Sequence, residues 1–428
     1  MTGTLLIKNG YLVDPASGFE GKADIFIGDG RIQAVGSCEQ HQPDRIYDAE
    51  GLTVFPGLVD LHVHLRDPGQ TYKEDLVSAA QAAAHGGVTS MLAMPNTRPV
   101  MDSVSRIAYV TGKAATEAKV HIYQSSAITK DMAGEELTDL DALCRSGVKA
   151  FSEDGKSVMN SRLMRDAMKK IRTYDGLICD HCEDIALVEG GVMNADENAE
   201  RLGLPGISNS VEDIIASRDS ILALETGVRL HLCHCSTAGS VKIVEMARRA
   251  GARITAEVCP HHFTLSSDDI PGDDADFKMN PPLRTAEDVK AVREALKKGI
   301  FDVISTDHAP HSADEKARGF RTAPFGIVGL ETSAALTYTE LVKGGVLTLF
   351  EMAEKMSFHP AQILGIEAGS LAVGMPADIA VFDFEHSFRI NPDEFMSKGK
   401  NTPFAGREVY GRTMLTLVGG EIAWEAER

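Results

Sequence analysis

Two hydrophobic patterns divide the chain. Residues 4–57 are short apolar runs broken by turn residues: Leu5-Leu6-Ile7 precedes Asn9-Gly10, and Ile25-Phe26-Ile27 and Ile32-Gln33-Ala34-Val35 flank Gly28-Asp29-Gly30. Turn chemistry with apolar residues on both sides predicts a β-hairpin. From Phe55 the period changes. Strand-like runs at 59–64, 88–94, 120–127, 148–152, 177–181, 229–234, 253–259 and 301–306 are interleaved with stretches of helical period at 73–85, 161–172, 238–249 and 286–298. Gly86, Gly251 and Gly299 stand just past three of these stretches, as helix stop signals do. Eight strand-helix units in succession predict a TIM-type (β/α)8 barrel over residues 56–365, the alternative being an open doubly wound sheet. After Gly369 the β character returns at 377–382, 415–418 and 421–424, with Gly419-Gly420 as a tight turn. Neither terminal piece can bury a good core alone, so residues 1–55 and 366–428 are predicted to pack together as one small β-sandwich domain.

Composition narrows the function. The 428 residues are 43% hydrophobic and 25% charged, as expected of a globular protein. With 43 Lys and Arg against 62 Asp and Glu, the net charge of −19 repels phosphate backbones and anionic lipid, which argues against nucleic-acid and membrane partners. No apolar run reaches the length of a membrane span, and the Met1-Thr2-Gly3-Thr4 start has no basic region before an apolar core, so a cytoplasmic protein is expected. The seven cysteines form no compact framework, and disulfides are not expected. On strand alternation Cys233 and Cys235 face away from His234, and Cys179 lies deeper than His181; all read as small buried residues.

The strand ends carry the chemistry. Alternation puts His62 and His64 on one face of the first strand, where two imidazoles can grip one metal ion. The second strand ends at Pro95-Asn96, the fourth runs into Glu153-Asp154-Gly155, and the fifth and sixth end in Asp180-His181 and His234. The seventh and eighth run into His261-His262 and Asp307-His308. A packed barrel needs none of these groups at its mouth, and barrel enzymes place their chemistry there. Six ligands suit two close metal ions, His62 and His64 on one, His181 and His234 on the other, a carboxylate bridging and Asp307 completing one ion. Two ions sharing a water lower its pKa from about 15.7 toward about 7, which makes a hydrolytic centre in which Asp307 takes and passes on a proton. Zinc, one or two ions per chain, is the expected cofactor, although such a site also accepts manganese or cobalt.

The stretches Pro56 to Gly69, Met94-Pro95-Asn96-Thr97, Phe151-Ser152-Glu153-Asp154-Gly155, Lys278 to Arg284 and Thr306-Asp307-His308-Ala309-Pro310-His311 resemble the dihydroorotase family in its bacterial class I form, within the amidohydrolase superfamily. The likeness runs to Asn401-Thr402-Pro403-Phe404-Ala405-Gly406, nearly the whole chain. It implies the reversible closure of N-carbamoyl-L-aspartate to L-dihydroorotate with loss of water, the third step of pyrimidine (UMP) synthesis. In the hydrolytic direction a metal-bridging hydroxide attacks the ring amide carbonyl and Asp307 shuttles the proton to the departing nitrogen. Arg66, Asn96 and His311 are implied to hold the substrate carboxylate, and Asn280, Phe325 and Gly326 to contact the ring. Arg66 suits the task because a guanidinium fork matches a carboxylate. For the metal bridge the resemblance favours Asp154, at the strand rim, over a carboxylated Lys149 deeper in the fourth strand.

Other polar residues are expected to be subordinate. Glu153 and Asp180 read as supporting or solvated carboxylates, His261 and His262 as structural, and His85, His121, His231, His359 and His386 as ordinary. Residues 312–319 read equally as a mobile lid or a solvated loop. Two rival functions differ testably. An enzyme of allantoin, hydantoin or dihydropyrimidine rings would not need the Arg66 and Asn96 clamp, and a non-catalytic scaffold for aspartate transcarbamoylase would have lost ligands, none of which is missing. Homodimerisation is expected from the prevalence of two-fold assemblies, and association with aspartate transcarbamoylase is the other partner considered.

Overall fold

A computed structural model describes residues 3–427. Strands form at all eight anticipated positions and run parallel. Leu58–Val63, Val88–Ala93 and His121–Gln124 make a three-stranded sheet. Ser126–Ala127, Ala150–Ser152, Leu177–Asp180, Arg229–Leu232, Ile254–Val258 and Val303–Ile304 make a six-stranded sheet in chain order. The run at 120–127, expected as one strand, is therefore two. Ser125 breaks it by sending both its N–H, at 3.0 Å, and its hydroxyl, at 2.7 Å, to the carbonyl of Ala93. At the far edge a parallel bridge joins Val63 to His308, and the N–H of His64 donates to the His308 carbonyl at 2.9 Å. The first strand end thus touches the residues that follow the last.

Several strands stop short of the polar residues expected to end them. The backbone of His234 turns to φ 34° and that of Asp307 to φ 48°, which takes both out of the extended region and ends the ladder before them. The polar groups consequently lie on loops just beyond the strands.

Helices Ser161–Arg172 and Ala238–Arg249 have the expected bounds, and Ala286–Lys297 ends one residue early. The first helix begins at Leu76 rather than at residue 73. Asp75 accounts for the difference, because its carboxylate accepts the N–H groups of Val77 and Ser78 as an N-cap. Lys73 and Glu74 are thereby left in the loop. The buried face of this helix is almost all alanine, Ala79, Ala80, Ala82, Ala83 and Ala84, which lets it lie close to the sheet. At its end Gly86 is required by close approach, since a Cβ there would come within 2.0 Å of the Leu330 carbonyl oxygen.

The chain ends share one eight-stranded sheet. Leu5–Asp14 pairs with Phe19–Gly28 and with Thr53–Pro56, which pairs in turn with Ile379–Arg389, followed by Glu408–Val418 and Glu421–Glu425. A separate core of Ile7, Leu12, Ile25, Ile27, Val54, Ile379, Val381, Leu415 and Leu417 belongs to it. Only Gly57 separates Thr53–Pro56 from Leu58–Val63, so this sheet is anchored directly to the strand that carries the two histidines. Among the described residues no helix is long and apolar enough to cross a membrane, and all seven cysteines are free.

Candidate active site

Asp154, on the loop after Ala150–Ser152, is the hub of the strand ends. Its Oδ1 lies 3.1 Å from His62 Nε2, 3.6 Å from His181 Nδ1 and 3.7 Å from His234 Nε2, and its Oδ2 lies 3.5 Å from His64 Nε2. Asp307 closes the group from the opposite edge, with Oδ1 3.0 Å from His64 Nε2 and 3.6 Å from His62 Nε2. All six residues are buried. Burial alone would push the Asp307 carboxyl upward, but its hydrogen bond with His64 and the imidazoles of His62, His64 and His234 bring it down to about 2. Burial acts the same way on Asp154, and His62, His234 and His64 overcome it, holding the acid well below the usual carboxylate range.

Six buried donors crowded together call for a cation. His62 Nε2 and Asp154 Oδ1 face each other at 3.1 Å, yet neither has a hydrogen-bond partner. Buried polar atoms left without partners need an explanation, and lone pairs converging on one point are explained by a metal ion. Four imidazoles and two carboxylates are a donor set that fits zinc and similar divalent ions. The site is also strained: Arg66 at φ 56°, His234 at φ 34° and Asp307 at φ 48° are held in the left-handed region, at a cost of roughly 1–3 kcal/mol each.

A surrounding set of hydrogen bonds orients the imidazoles. His62 Nδ1 donates to Glu257 at 3.2 Å, whose other oxygen is 3.1 Å from His231 Nε2. His64 Nδ1 meets Asn96 Oδ1 at 2.9 Å, and Asn96 Nδ2 donates to Asp154 Oδ2 at 3.1 Å. His181 Nε2 lies 3.3 Å from Glu183, which also accepts from Asn280 Nδ2 at 2.9 Å. Residue-by-residue reading missed Glu257 and Glu183 and took His231 as ordinary. The available signal was Glu257 itself, one charge inside the apolar run Ile254–Val258.

Lys149 does not belong to this centre. It precedes its strand, and its ammonium donates outward to the Gly365 carbonyl at 2.8 Å, which excludes the carboxylated-lysine alternative in this geometry. Glu153 and Asp180 are buried rather than solvated. Glu153 accepts the N–H groups of Ile128 and Thr129, and Asp180 faces Asp219 and Arg218. His261 and His262 are buried beside Cys259, and burial keeps both imidazoles neutral, His262 being pushed down to about 4.

Of the site residues singled out in the sequence, all but His62 line one cavity of about 300 Å³, and His62 lies fully buried beneath it. Arg66 enters it as a buried guanidinium donating to the Pro310 carbonyl at 3.3 Å. His311 donates from Nε2 to the Phe325 carbonyl at 2.8 Å. A Cβ on Gly326 would come within 2.7 Å of the Ala309 carbonyl oxygen and 3.1 Å of His311 Nε2, so only glycine leaves this wall undisturbed. Lys73, which sequence reading placed in a helix, also lines the cavity. Within residues 312–319, Ser312 caps the short helix Ala313–Lys316 and the buried Lys316 ammonium donates to the carbonyls of Lys278 and Gly326, while Ala313, Asp314, Ala317 and Arg318 are exposed.

Comparison with known proteins bears on this geometry. Residues 51–240 match the Dihydro-orotase-like family and residues 223–423 the Amidohydrolase family. The chain is 45% identical over 421 residues to a dihydroorotase of Pelotomaculum thermopropionicum, covering 98% of each. It is 48% identical over 383 residues to that of Bacillus caldolyticus, covering 90% of each. Among solved structures it resembles the L-hydantoinase (dihydropyrimidinase) of Arthrobacter aurescens, with a TM-score of 0.87 at 25% identity, covering 100% of this chain and 97% of that one. The dihydropyrimidinase of Brevibacillus agri gives the same TM-score at 23% identity, a likeness of fold, over 99% of this chain and 95% of that one. By these relationships the chain belongs to the dihydroorotase family of amidohydrolases, enzymes that act on a cyclic amide.

Proposed function

We propose that this protein interconverts N-carbamoyl-L-aspartate and L-dihydroorotate, and that the cavity lined by Asp154, Asp307 and Arg66 is where it does so. The observation that carries this reading is the pairing, within one cavity, of the Asp154-centred donor cluster with the buried guanidinium of Arg66, which no carboxylate of the described residues neutralises at ion-pair distance. A buried unpaired cation is costly, and a substrate carboxylate relieves that cost. Hydantoin and dihydropyrimidine rings carry no such group, which favours dihydroorotate over them.

In this reading His62, His64, Asp154, His181, His234 and Asp307 would hold one or two zinc ions. When bound, the metal activates water for attack and polarises the ring carbonyl. The other steps fall to the chain itself. Arg66 and Asn96 orient the substrate through its carboxylate, with Asn280, Phe325 and Gly326 against the ring and His311 beside Arg66. Asp307, ionised at neutral pH, takes the proton of the attacking water and delivers it to the departing ring nitrogen. The proposal extends to the architecture: the two parallel sheets form one closed (β/α)8 barrel over residues 56–365, and the terminal sheet is a β-sandwich domain of residues 1–55 and 366–428. A cytoplasmic setting, a two-fold homodimer and association with aspartate transcarbamoylase complete it.

Ring opening of L-dihydroorotate, followed by its ultraviolet loss, tests the reading. Wild type is expected to turn over, and Asp307→Asn to lose about 10²–10⁴-fold in kcat while retaining metal. No turnover by the metal-loaded wild type would remove the substrate assignment and point to allantoin or hydantoins. No turnover and no metal would point to the scaffold.

A further inference from the structure

The seventh strand, Ile254–Val258, ends beside a second set of metal donors that plays no part in the proposed catalysis. Cys259 follows the strand in extended backbone, and Pro260 then starts the short helix Pro260–Thr264, which carries His261 and His262. The N–H of His262 donates back to the Cys259 carbonyl at 3.0 Å, and this tight turn keeps the three residues together. One donor atom from each, the Cys259 sulfur and a ring nitrogen of each histidine, lies within 4.8 Å of the other two. The two rings stand 4.2 Å apart between centroids and are inclined at 59°. None of the three residues belongs to the Asp154-centred cluster.

Both imidazoles present a nitrogen that the protein leaves unused. His262 Nε2 lies 3.0 Å from the Pro281 carbonyl oxygen, which can only accept, so the ring proton is on Nε2 and a lone pair is left on Nδ1. That Nδ1 has no hydrogen-bond partner, and neither has His261 Nε2. The two residues are 3% and 2% exposed, so bulk solvent does not take the partner's place. Burial keeps both rings neutral, His262 being pushed down to about 4, which preserves a lone pair on each. Buried polar atoms are ordinarily paired, and two unpaired nitrogens beside a thiol make a coordinating set.

Donor type and charge select the ion. One thiolate and two imidazoles are a donor set of copper sites, and soft sulfur favours copper(I). Structural zinc takes four ligands, whereas this group, among the described residues, has three. Burial and the carboxylates of Asp307, Glu257 and Asp60 hold the Cys259 thiol protonated, so an ion enters by displacing that proton. A copper–sulfur bond forms, the S–H bond breaks and one proton leaves to solvent. Copper(I) replaces the charge of the proton, and the net charge of the site is unchanged. A divalent ion would instead add one positive charge in a buried place that already feels His234, and this counts against zinc.

We propose that Cys259, His261 and His262 form a second metal site, selective for copper(I) and separate from the cluster around Asp154. The His262 ring ties it to the cavity, because it holds the Pro281 carbonyl and the preceding Asn280 lines the cavity wall. The proposal stands whichever ring the enzyme opens.

The test uses the zinc-loaded protein, titrated anaerobically with copper(I) against a chromophoric copper(I) chelator. Wild type is expected to bind one copper(I) per chain with its zinc retained, and copper-edge X-ray absorption to show one sulfur and two imidazole nitrogens. Two variants remove single ligands: Cys259→Ser keeps the size of the side chain, and His262→Gln keeps an N–H for the Pro281 carbonyl. Each is expected to lose more copper affinity than the about 10–100-fold that follows loss of an outer hydrogen-bond partner. Equal affinity in Cys259→Ser would overturn the proposal. So would zinc released in step with copper uptake, which places copper in the Asp154 cluster. No copper bound by wild type, or a spectrum with two sulfurs or none, would overturn it without recourse to any variant. A further zinc ion taken up in place of copper, and lost in Cys259→Ser, would overturn the assignment to copper.

Discussion

The carboxylate of Glu257 decides which nitrogen of His62 faces Asp154. Because Nδ1–H donates to Glu257, the lone pair on Nε2 is left pointing at Asp154, which is what a ligand requires. Burial works against the charge on Glu257, but hydrogen bonds from His231 and His62 hold its carboxyl well below the usual range, so it stays an acceptor. Glu257→Gln is expected to weaken metal binding about 10–100-fold while leaving the fold intact, measured by competition with a chelator of known affinity. Equal metal affinity in the two proteins would deny Glu257 this role. His62, His64, His181 and His234 were legible in the sequence because imidazoles at strand ends are conspicuous. Glu257 and His231 were not, because their part depends on a contact between neighbouring strands: His231 pairs in register with Thr255, two residues before Glu257.

At the level of elements, periodicity located strands and helices and local hydrogen bonding set their ends. The helix Leu76–His85 begins where Asp75 can cap it, and the shift of three residues freed Lys73 to reach the cavity. Capping was open to inspection, but Glu74 and Asp75 also suit the first turn of a helix, which concealed it. The other end of the helix was legible from Gly86, but the reason that only glycine fits there is tertiary packing. The Cβ of Gly86→Ala would stand 2.0 Å from the Leu330 carbonyl oxygen and 2.9 Å from its carbon, both backbone atoms with little freedom to retreat. The substitution improves helix propensity yet is expected to destabilise the protein by about 1–3 kcal/mol through overpacking, read from urea or thermal unfolding. A neutral or stabilising result would mean that the loop at Leu330 yields.

For the molecule as a whole, eight strands in chain order followed from the repeated strand-helix period, and the pairing of the two chain ends followed from their shared β character. What the linear pattern could not contain was the break at Ser125 or the approach of Val63 to His308, since each is made by a contact distant in sequence. Such contacts bring four histidines and two aspartates from five separate strand ends into one buried group. The elements that carry them are consequently braced against one another only as well as that group is satisfied. Without a cation, two buried carboxylates must be balanced by protonated imidazoles. A metal bound by the folded chain and not by the unfolded one stabilises it by about 2.7 kcal/mol at one hundred times its Kd. Stripping the metal with a chelator is therefore expected to lower the unfolding midpoint, and stepwise return of zinc to restore it in proportion to occupancy, followed by calorimetry with metal content measured on the same samples. If stripped and reloaded proteins unfolded together, the six donors would be satisfied by protons alone and the metal centre would have no share in holding the strand ends in place.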